Sequence, residues 1–270
     1  MPELPEVETT RRGIEPHILN KQVRKVILRT KKLRWPIPSR LNRYLSEQYI
    51  NEVARRGKYL LLKTDNGTLI IHLGMSGSLR ILDADLPAQK HDHVDIVFNK
   101  KLLRLRDPRR FGAVLWTKHD PYKHKLLSTL GPEPLSNEFT GEYLHKISRK
   151  RQLSVKDFIM NSKNVVGVGN IYATESLFSS GIHPLRAAGK ISKQRYIDLT
   201  ENINTILNKA LQSGGTTLRD FTHEDGKPGY FSIELKVYGR GKQPCVVCKK
   251  PLRAIKQGQR TTTYCTNCQK

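Results

Sequence analysis

Tyr59-Leu60-Leu61-Leu62-Lys63-Thr64-Asp65-Asn66-Gly67-Thr68-Leu69-Ile70-Ile71-His72-Leu73 is two short apolar runs joined by an Asp-Asn-Gly turn. That pattern is the signature of an antiparallel β-hairpin. Further β runs flank it between Val23 and Trp116, including residues 94–98 and the alternating Leu103-Arg104-Leu105-Arg106. No strand-helix alternation accompanies them, so the expectation is an antiparallel β-sandwich or flattened barrel, not a parallel sheet. Upstream, Leu4, Val7, Arg11 and Ile14 recur at three- and four-residue steps and predict a helix over residues 2–14. Glu3, Glu6 and Glu8 lie early in it and Arg11 and Arg12 late, as the helix dipole favours. Pro16 is expected to end it.

Downstream, Gly131-Pro132-Glu133-Pro134 marks a domain boundary, and helical periodicity follows. Ser154 is a cap for a helix through Met160, and Gly169-Asn170 precedes a second helix through Phe178. Ser192 caps a longer helix over 193–211, with Tyr196, Leu199, Ile203 and Leu207 on one face and Gly214 beyond its end. After Gly226-Lys227-Pro228-Gly229 comes a strand-like run over 230–238, then a cysteine-rich segment. The expected class is α+β with three parts: 1–130, a β-sandwich with its N-terminal helix; 131–225, helical; and 226–270, a loop and a zinc-ribbon hairpin.

The chain has 270 residues, with 48 Lys plus Arg against 24 Asp plus Glu, a formal charge of +24 and a pI near 10.1. Its partner should be a polyanion. A hydrophobic content of 37%, a mean hydropathy of −0.54 and no long uncharged stretch argue against an integral membrane protein. The acidic start, Met1-Pro2-Glu3-Leu4-Pro5-Glu6, does not resemble an export signal, so a reducing cytoplasm is expected.

All four cysteines lie in the last 26 residues, as Cys245-x-x-Cys248 and Cys265-x-x-Cys268 with 16 residues between. A hairpin of that length brings two thiolate pairs together, which predicts one closed, structural tetrahedral zinc. From Lys236 to Lys270 there are nine basic residues and no acidic one, among them Arg260 inside the finger. Such a finger suits phosphates, with Arg260 offering a bidentate guanidinium; a solvated ribbon with an ordinary surface arginine fits the same spacing.

The start of the chain carries different chemistry. With Met1 removed, Pro2 presents a secondary amine, and its condensation with an aldehyde-level carbon gives an iminium that cannot discharge by losing an N–H. Such a cation is an electron sink suited to elimination. At an α-amino pKa near 8, roughly a tenth of the amine is neutral at pH 7. Glu3 stands beside it as a proton donor or acceptor, although three carboxylates in a first helical turn also fit simple dipole stabilisation.

Several motifs then agree: Met1-Pro2-Glu3-Leu4-Pro5-Glu6-Val7-Glu8-Thr9, Lys58-Tyr59-Leu60, His72-Leu73-Gly74-Met75-Ser76-Gly77, Asp107-Pro108-Arg109-Arg110-Phe111-Gly112, Val168-Gly169-Asn170-Ile171-Tyr172-Ala173 and the four-cysteine finger. In consistent order from residue 2 to residue 270, the chain resembles the bacterial formamidopyrimidine-DNA glycosylases. The resemblance implies a β-sandwich joined to a helix-two-turns-helix domain and a zinc finger, with damaged double-stranded DNA held between them. It implies excision of oxidised purines and nicking of the abasic site by β,δ-elimination, with one structural zinc, no organic cofactor, and a monomer associated with the nucleoid.

On that resemblance Pro2 is the nucleophile at the sugar C1′ and Glu3 its acid-base partner. Lys58 is a cation held by a buried strand beside the lesion, and Asn170 with Arg260 clamps phosphates around the everted nucleotide. Met75, Arg109 and Phe111 resemble the trio that fills the vacated stack, although base rates alone would put Met75 and Phe111 in a core. His91, Arg109, Arg151, His72 and Tyr238 align with DNA contacts. Arg219 stands where relatives are expected to have lysine, in the loop that would cover the everted base. Two other classes compete: an endonuclease VIII-like glycosylase for oxidised pyrimidines, disfavoured by Leu4 and by Met75, Arg109 and Phe111, and a non-catalytic zinc-ribbon binder, which leaves the Pro-Glu start unexplained.

Overall fold

The structure is a computed structural model in which residues 2–213 and 235–270 are described. Gly214, Arg219, the stretch 226–229 and residues 230–234 of the strand-like run lie outside them. The described residues group into two compact units, 2–129 and 130–213 with 235–270.

The first unit begins with helix α1 (Leu4–Ile18), followed by β1 (Lys25–Leu28), α2 (Leu41–Leu45), β2 (Glu52–Arg56), β3 (Tyr59–Thr64), β4 (Gly67–His72), β5 (Ser78–Asp83), β6 (Asp92–Val97), β7 (Lys101–Arg106) and β8 (Ala113–Thr117). The strands form two antiparallel four-stranded sheets, ordered β1-β6-β7-β5 and β2-β3-β4-β8. The sandwich expectation holds. The β3-β4 hairpin pairs Thr64 with Gly67 across Asp65-Asn66. Gly67 has φ +147°, and a Cβ there would lie 2.4 Å from the Thr117 carbonyl oxygen, so both conformation and space require glycine. Alternate apolar side chains, among them Leu60, Leu62, Leu69, Ile71, Val94, Ile96, Leu103 and Leu105, fill a common core with Ile14 and Ile18 of α1.

Two details of this unit are set by its core and its cross-strand partners, the first against the sequence expectation. Pro16 does not end α1, which continues to Ile18. In the last turn its missing N–H forfeits a single bond, the Leu19 N–H still reaches Glu15 O at 2.9 Å, and the fully buried Ile14 and Ile18 hold the turn in place. Arg104, in the alternating run of β7, is 3% exposed. Asp95 lies opposite it in register and accepts two of its N–H bonds at 2.8 and 2.9 Å, while the carbonyls of Leu86 and Pro87 accept two more. A buried guanidinium is tolerated when its donors are matched in this way.

The second unit carries α3 (Gly141–Ser148), α4 (Val155–Met160), α5 (Asn170–Ser179), α6 (Lys193–Gln212) and the hairpin β9 (Arg253–Gln257) and β10 (Arg260–Tyr264). Ser154 and Ser192 cap α4 and α6 by accepting from the Asp157 and Arg195 N–H groups. Residues 235–238 are not a strand. The N–H groups of Lys236, Val237 and Tyr238 instead converge on the buried Glu175 carboxylate at 2.7–2.9 Å, which turns the chain toward the finger.

Candidate functional site

At the N-terminus the three acidic residues separate into roles. Glu6 Oε2 accepts the Glu3 backbone N–H at 2.8 Å, a cap for the first turn of α1. Glu8 accepts from Arg11, Arg12 and Arg55 at 2.9–3.2 Å. Burial raises its pKa, but hydrogen bonds from Arg11 and Arg55 outweigh that and hold it below the usual range. Glu3 completes a capping box, its side chain accepting from the Glu6 backbone N–H, so helix capping involves both Glu3 and Glu6 and the ion pairing falls to Glu8. Glu3, 3% exposed, sits at the N-cap directly after the buried Pro2.

Two contacts give the direction of α1 across the sheet. Glu8 meets Arg55 at 3.0 Å, and Arg11 donates to Val53 O at 3.0 Å. Moving back along the helix is thus moving forward along β2, so Pro2 and Glu3 point toward the β2-β3 turn. Lys58 occupies that turn with Gly57, between the paired Arg56 and Tyr59. It is half-buried in a turn, not on a buried strand as expected. Tyr59 pairs with His72, their rings 4.7 Å apart. Burial first, then the charges of Lys58 and Arg34, push the His72 imidazole down to about 4. It is neutral at pH 7, and because its Nδ1 accepts the Gly74 N–H at 2.9 Å, its proton is on Nε2.

The two loops carrying the proposed gap-filling trio are tied by Asp107, which is fully buried. Its carboxylate accepts from Ser76 Oγ at 2.8 Å and from the Gly112 N–H at 2.7 Å, and Ser76 Oγ accepts the Arg109 N–H at 3.1 Å. Gly74, at φ +66°, lies so close that a Cβ would meet the Phe111 backbone at 2.4 Å. On this rigid base Met75 is 37% and Phe111 45% exposed, with the Arg109 guanidinium 5.0 Å from the Phe111 ring centre. Neither is a core residue, and apolar side chains held outward on fixed loops suit insertion between bases. His91 joins the same assembly: its carbonyl accepts the Asp107 N–H at 3.0 Å beside a β-bulge between β6 and β7, and its own φ is +75°.

In the second unit Asn170 begins α5, and its side chain accepts from Lys156 Nζ at 2.6 Å while donating to Thr261 O at 3.1 Å. Thr261 follows Arg260, which is exposed beside the β9-β10 turn, so Asn170 is anchored to the strand one residue from Arg260. Lys156, 1% exposed, also donates to Thr262 Oγ1 at 2.6 Å, and Gln257 extends the network to Ser154 and Asp157. Sequence reading missed Lys156 and Glu175, since nothing in Val155-Lys156-Asp157-Phe158 distinguishes this lysine from a solvated one. The exposed Arg151 lies after α3, with its carbonyl accepting the Gly189 N–H at 2.9 Å. Tyr238 is half-buried next to Glu175.

The sulfurs of Cys245, Cys248, Cys265 and Cys268 all lie within 4.8 Å of one another, with two pairs at 3.4 and 3.9 Å. Zinc-thiolate bonds of about 2.3 Å place tetrahedral sulfurs about 3.8 Å apart, so the donor set fits zinc.

Comparison with known proteins agrees part by part. The formamidopyrimidine-DNA glycosylase N-terminal domain matches residues 1–114, the H2TH domain of the same enzymes residues 130–222, and the zinc finger found in FPG and IleRS residues 242–270. The formamidopyrimidine-DNA glycosylases of Saccharophagus degradans and Stutzerimonas stutzeri are 59% and 57% identical, each over 100% of both chains. Among solved structures, MutM (Fpg) of Thermus thermophilus is 34% identical with a TM-score of 0.88, covering 99% of this chain and 98% of that one. A Lactococcus lactis Fpg mutant in complex with Fapy-dG containing DNA is 32% identical with a TM-score of 0.93, covering 100% of both. With three domain models in order and more than half of all positions identical to curated members, this chain belongs to the formamidopyrimidine-DNA glycosylase family.

Proposed function

We propose that the protein removes oxidised purines, 8-oxoguanine and formamidopyrimidines, from duplex DNA and then nicks the abasic site. The observation that carries this is the Pro2-Glu3 start, capped onto α1 and directed toward Lys58, in a chain 59% identical over its whole length to a glycosylase of that name. Relatives solved with 8-oxo-G and with Fapy-dG DNA support the substrate class. With Met1 removed, the Pro2 nitrogen attacks C1′ and the damaged base departs. Glu3 protonates the ring oxygen as the sugar opens to an iminium. Loss of the C2′ proton expels the 3′ phosphate, and a second elimination releases the 5′ phosphate.

Lys58 supplies a cation beside the sugar, and the neutral His72 an N–H donor. Asn170 and Arg260 bind phosphates, with His91, Arg151 and Tyr238 as further DNA contacts. Met75, Arg109 and Phe111 occupy the vacated stack, Arg109 facing the orphaned base. The four cysteines hold one zinc, which cross-links the finger and takes no part at the sugar. Residues 1–130 carry the chemistry, 131–225 and 226–270 the grip on DNA, and the chain works as a monomer in the cytoplasm, on the nucleoid. Among the described residues no helix is long and apolar enough to cross a membrane.

The test is borohydride reduction during turnover of 8-oxoguanine DNA. A covalent complex whose modified peptide begins at Pro2 is expected. A cross-link mapped to Lys58, or full activity from protein retaining Met1, overturns the mechanism.

A further inference from the structure

The first unit holds a concave site at the opposite end of its sheet from His72. A cavity of about 640 Å³ is lined by Arg40, Arg43 and Tyr44, Asp65 and Asn66, and Trp116 and Lys118. These come from α2 and its N-cap, the β3-β4 turn and the end of β8. β4 runs from that turn to His72, about 17 Å at the rise of a strand, so the cavity is separate from the residues assigned to base excision.

Its chemistry is specific. Arg40 and Arg43 stand three apart, on one face of a helical turn, and Lys118 Nζ lies 5.8 Å from the Tyr44 ring centre. Tyr44 and Trp116 stack with centres 5.6 Å apart and planes 16° from parallel. The Trp116 indole N–H is buried without an acceptor among the described residues. Asp65 places a single carboxylate at the rim, held by the Asn51 amide at 2.6 Å. Three cations suit a phosphate group, and the aromatic pair offers an apolar wall to a planar heterocycle. The carboxylate accepts from a sugar hydroxyl or an exocyclic amine. The volume lies in the range of small-molecule sites.

We propose that this cavity binds one nucleotide unit, base and phosphate together, either as a free nucleotide or as one residue of a single strand. Neither ligand enters the excision chemistry, so the site is an accessory one.

The test uses Trp35→Phe protein, in which Trp116 is the one remaining tryptophan, titrated with adenosine diphosphate, pyrophosphate and a tetradeoxyadenylate strand. Saturable change of Trp116 fluorescence by the diphosphate, by the strand or by both supports the site and identifies the source of its ligand. In an Arg43→Glu, Lys118→Glu variant both should bind at least about tenfold more weakly, because two charge-assisted contacts become repulsive. Nicking of a preformed abasic duplex by that variant should stay within about twofold, which reports an intact fold. No fluorescence response to either nucleotide probe overturns the proposal. So does pyrophosphate binding as tightly as adenosine diphosphate, or nucleotide binding unchanged in the double variant.

Discussion

Lys156 shows how one side chain can serve a site it need not touch. Its ammonium joins the Asn170 amide to the Thr262 hydroxyl, so a single buried cation sets where α5 begins relative to the finger. Lys156→Met keeps the volume but strips both acceptors of their donor, a cost of about 1–3 kcal/mol. The expected outcome is weaker binding of abasic duplex with zinc still bound one to one, measured by anisotropy and metal analysis. His72 makes a different statement. Its folded pKa, about 4, lies below the ordinary 6.5, so between those values the unfolded chain takes up a proton that the folded one refuses. Stability from this group is therefore complete above pH 6.5 and is lost as pH falls toward 4. A melting-temperature series should fall less steeply across that window in His72→Gln than in the parent.

Among elements, the finger is the most dependent on a ligand. Its small core is Phe178, Val237, Leu252 and two of the cysteines, too little apolar surface to hold a hairpin alone. Cys248→Ser should lose zinc and DNA affinity together while the sandwich keeps its own cooperative melting transition, and zinc retained at full stoichiometry would contradict the assignment. This element was legible from spacing alone, as was the β3-β4 hairpin, because a turn motif or a ligand pattern is written locally. Where the sequence reading failed, the cause was non-local. Pro16 stays helical because the core holds Ile14 and Ile18, and residues 236–238 leave the strand because the Glu175 carboxylate, more than 60 residues away, takes their N–H groups. The N-terminal carboxylates were ambiguous for the same reason: Glu8 is committed to Arg55, 47 residues away, which no local pattern records.

At the scale of the whole molecule the dominant quantity is the charge of +24 on 270 residues. Affinity for undamaged duplex should fall steeply between about 50 and 200 mM salt, because releasing condensed counterions into a saltier solution gains less free energy. A flat response measured by anisotropy would mean that the basic surface is not the footprint. The same charge offers no selectivity for a lesion, which must come from the few apolar and neutral groups held outward on rigid backbone.

Those groups ride on the pair of loops locked through Asp107, Ser76 and the close approach of Gly74 to Phe111. In heredity such a lock makes the two segments one unit, although 31 positions separate the hydrogen-bonded Ser76 and Asp107. A change that enlarges residue 74 has no room unless the backbone at 111 shifts with it, and loss of Ser76 removes the donor to one oxygen of a buried carboxylate whose other oxygen keeps the Gly112 N–H. Grafting residues 72–77 alone from a relative with a different partner loop should therefore give a misfolded or inactive chimera, whereas transplanting 72–77 and 107–112 together should restore incision. Lineages are free to redesign this surface only by moving both segments at once.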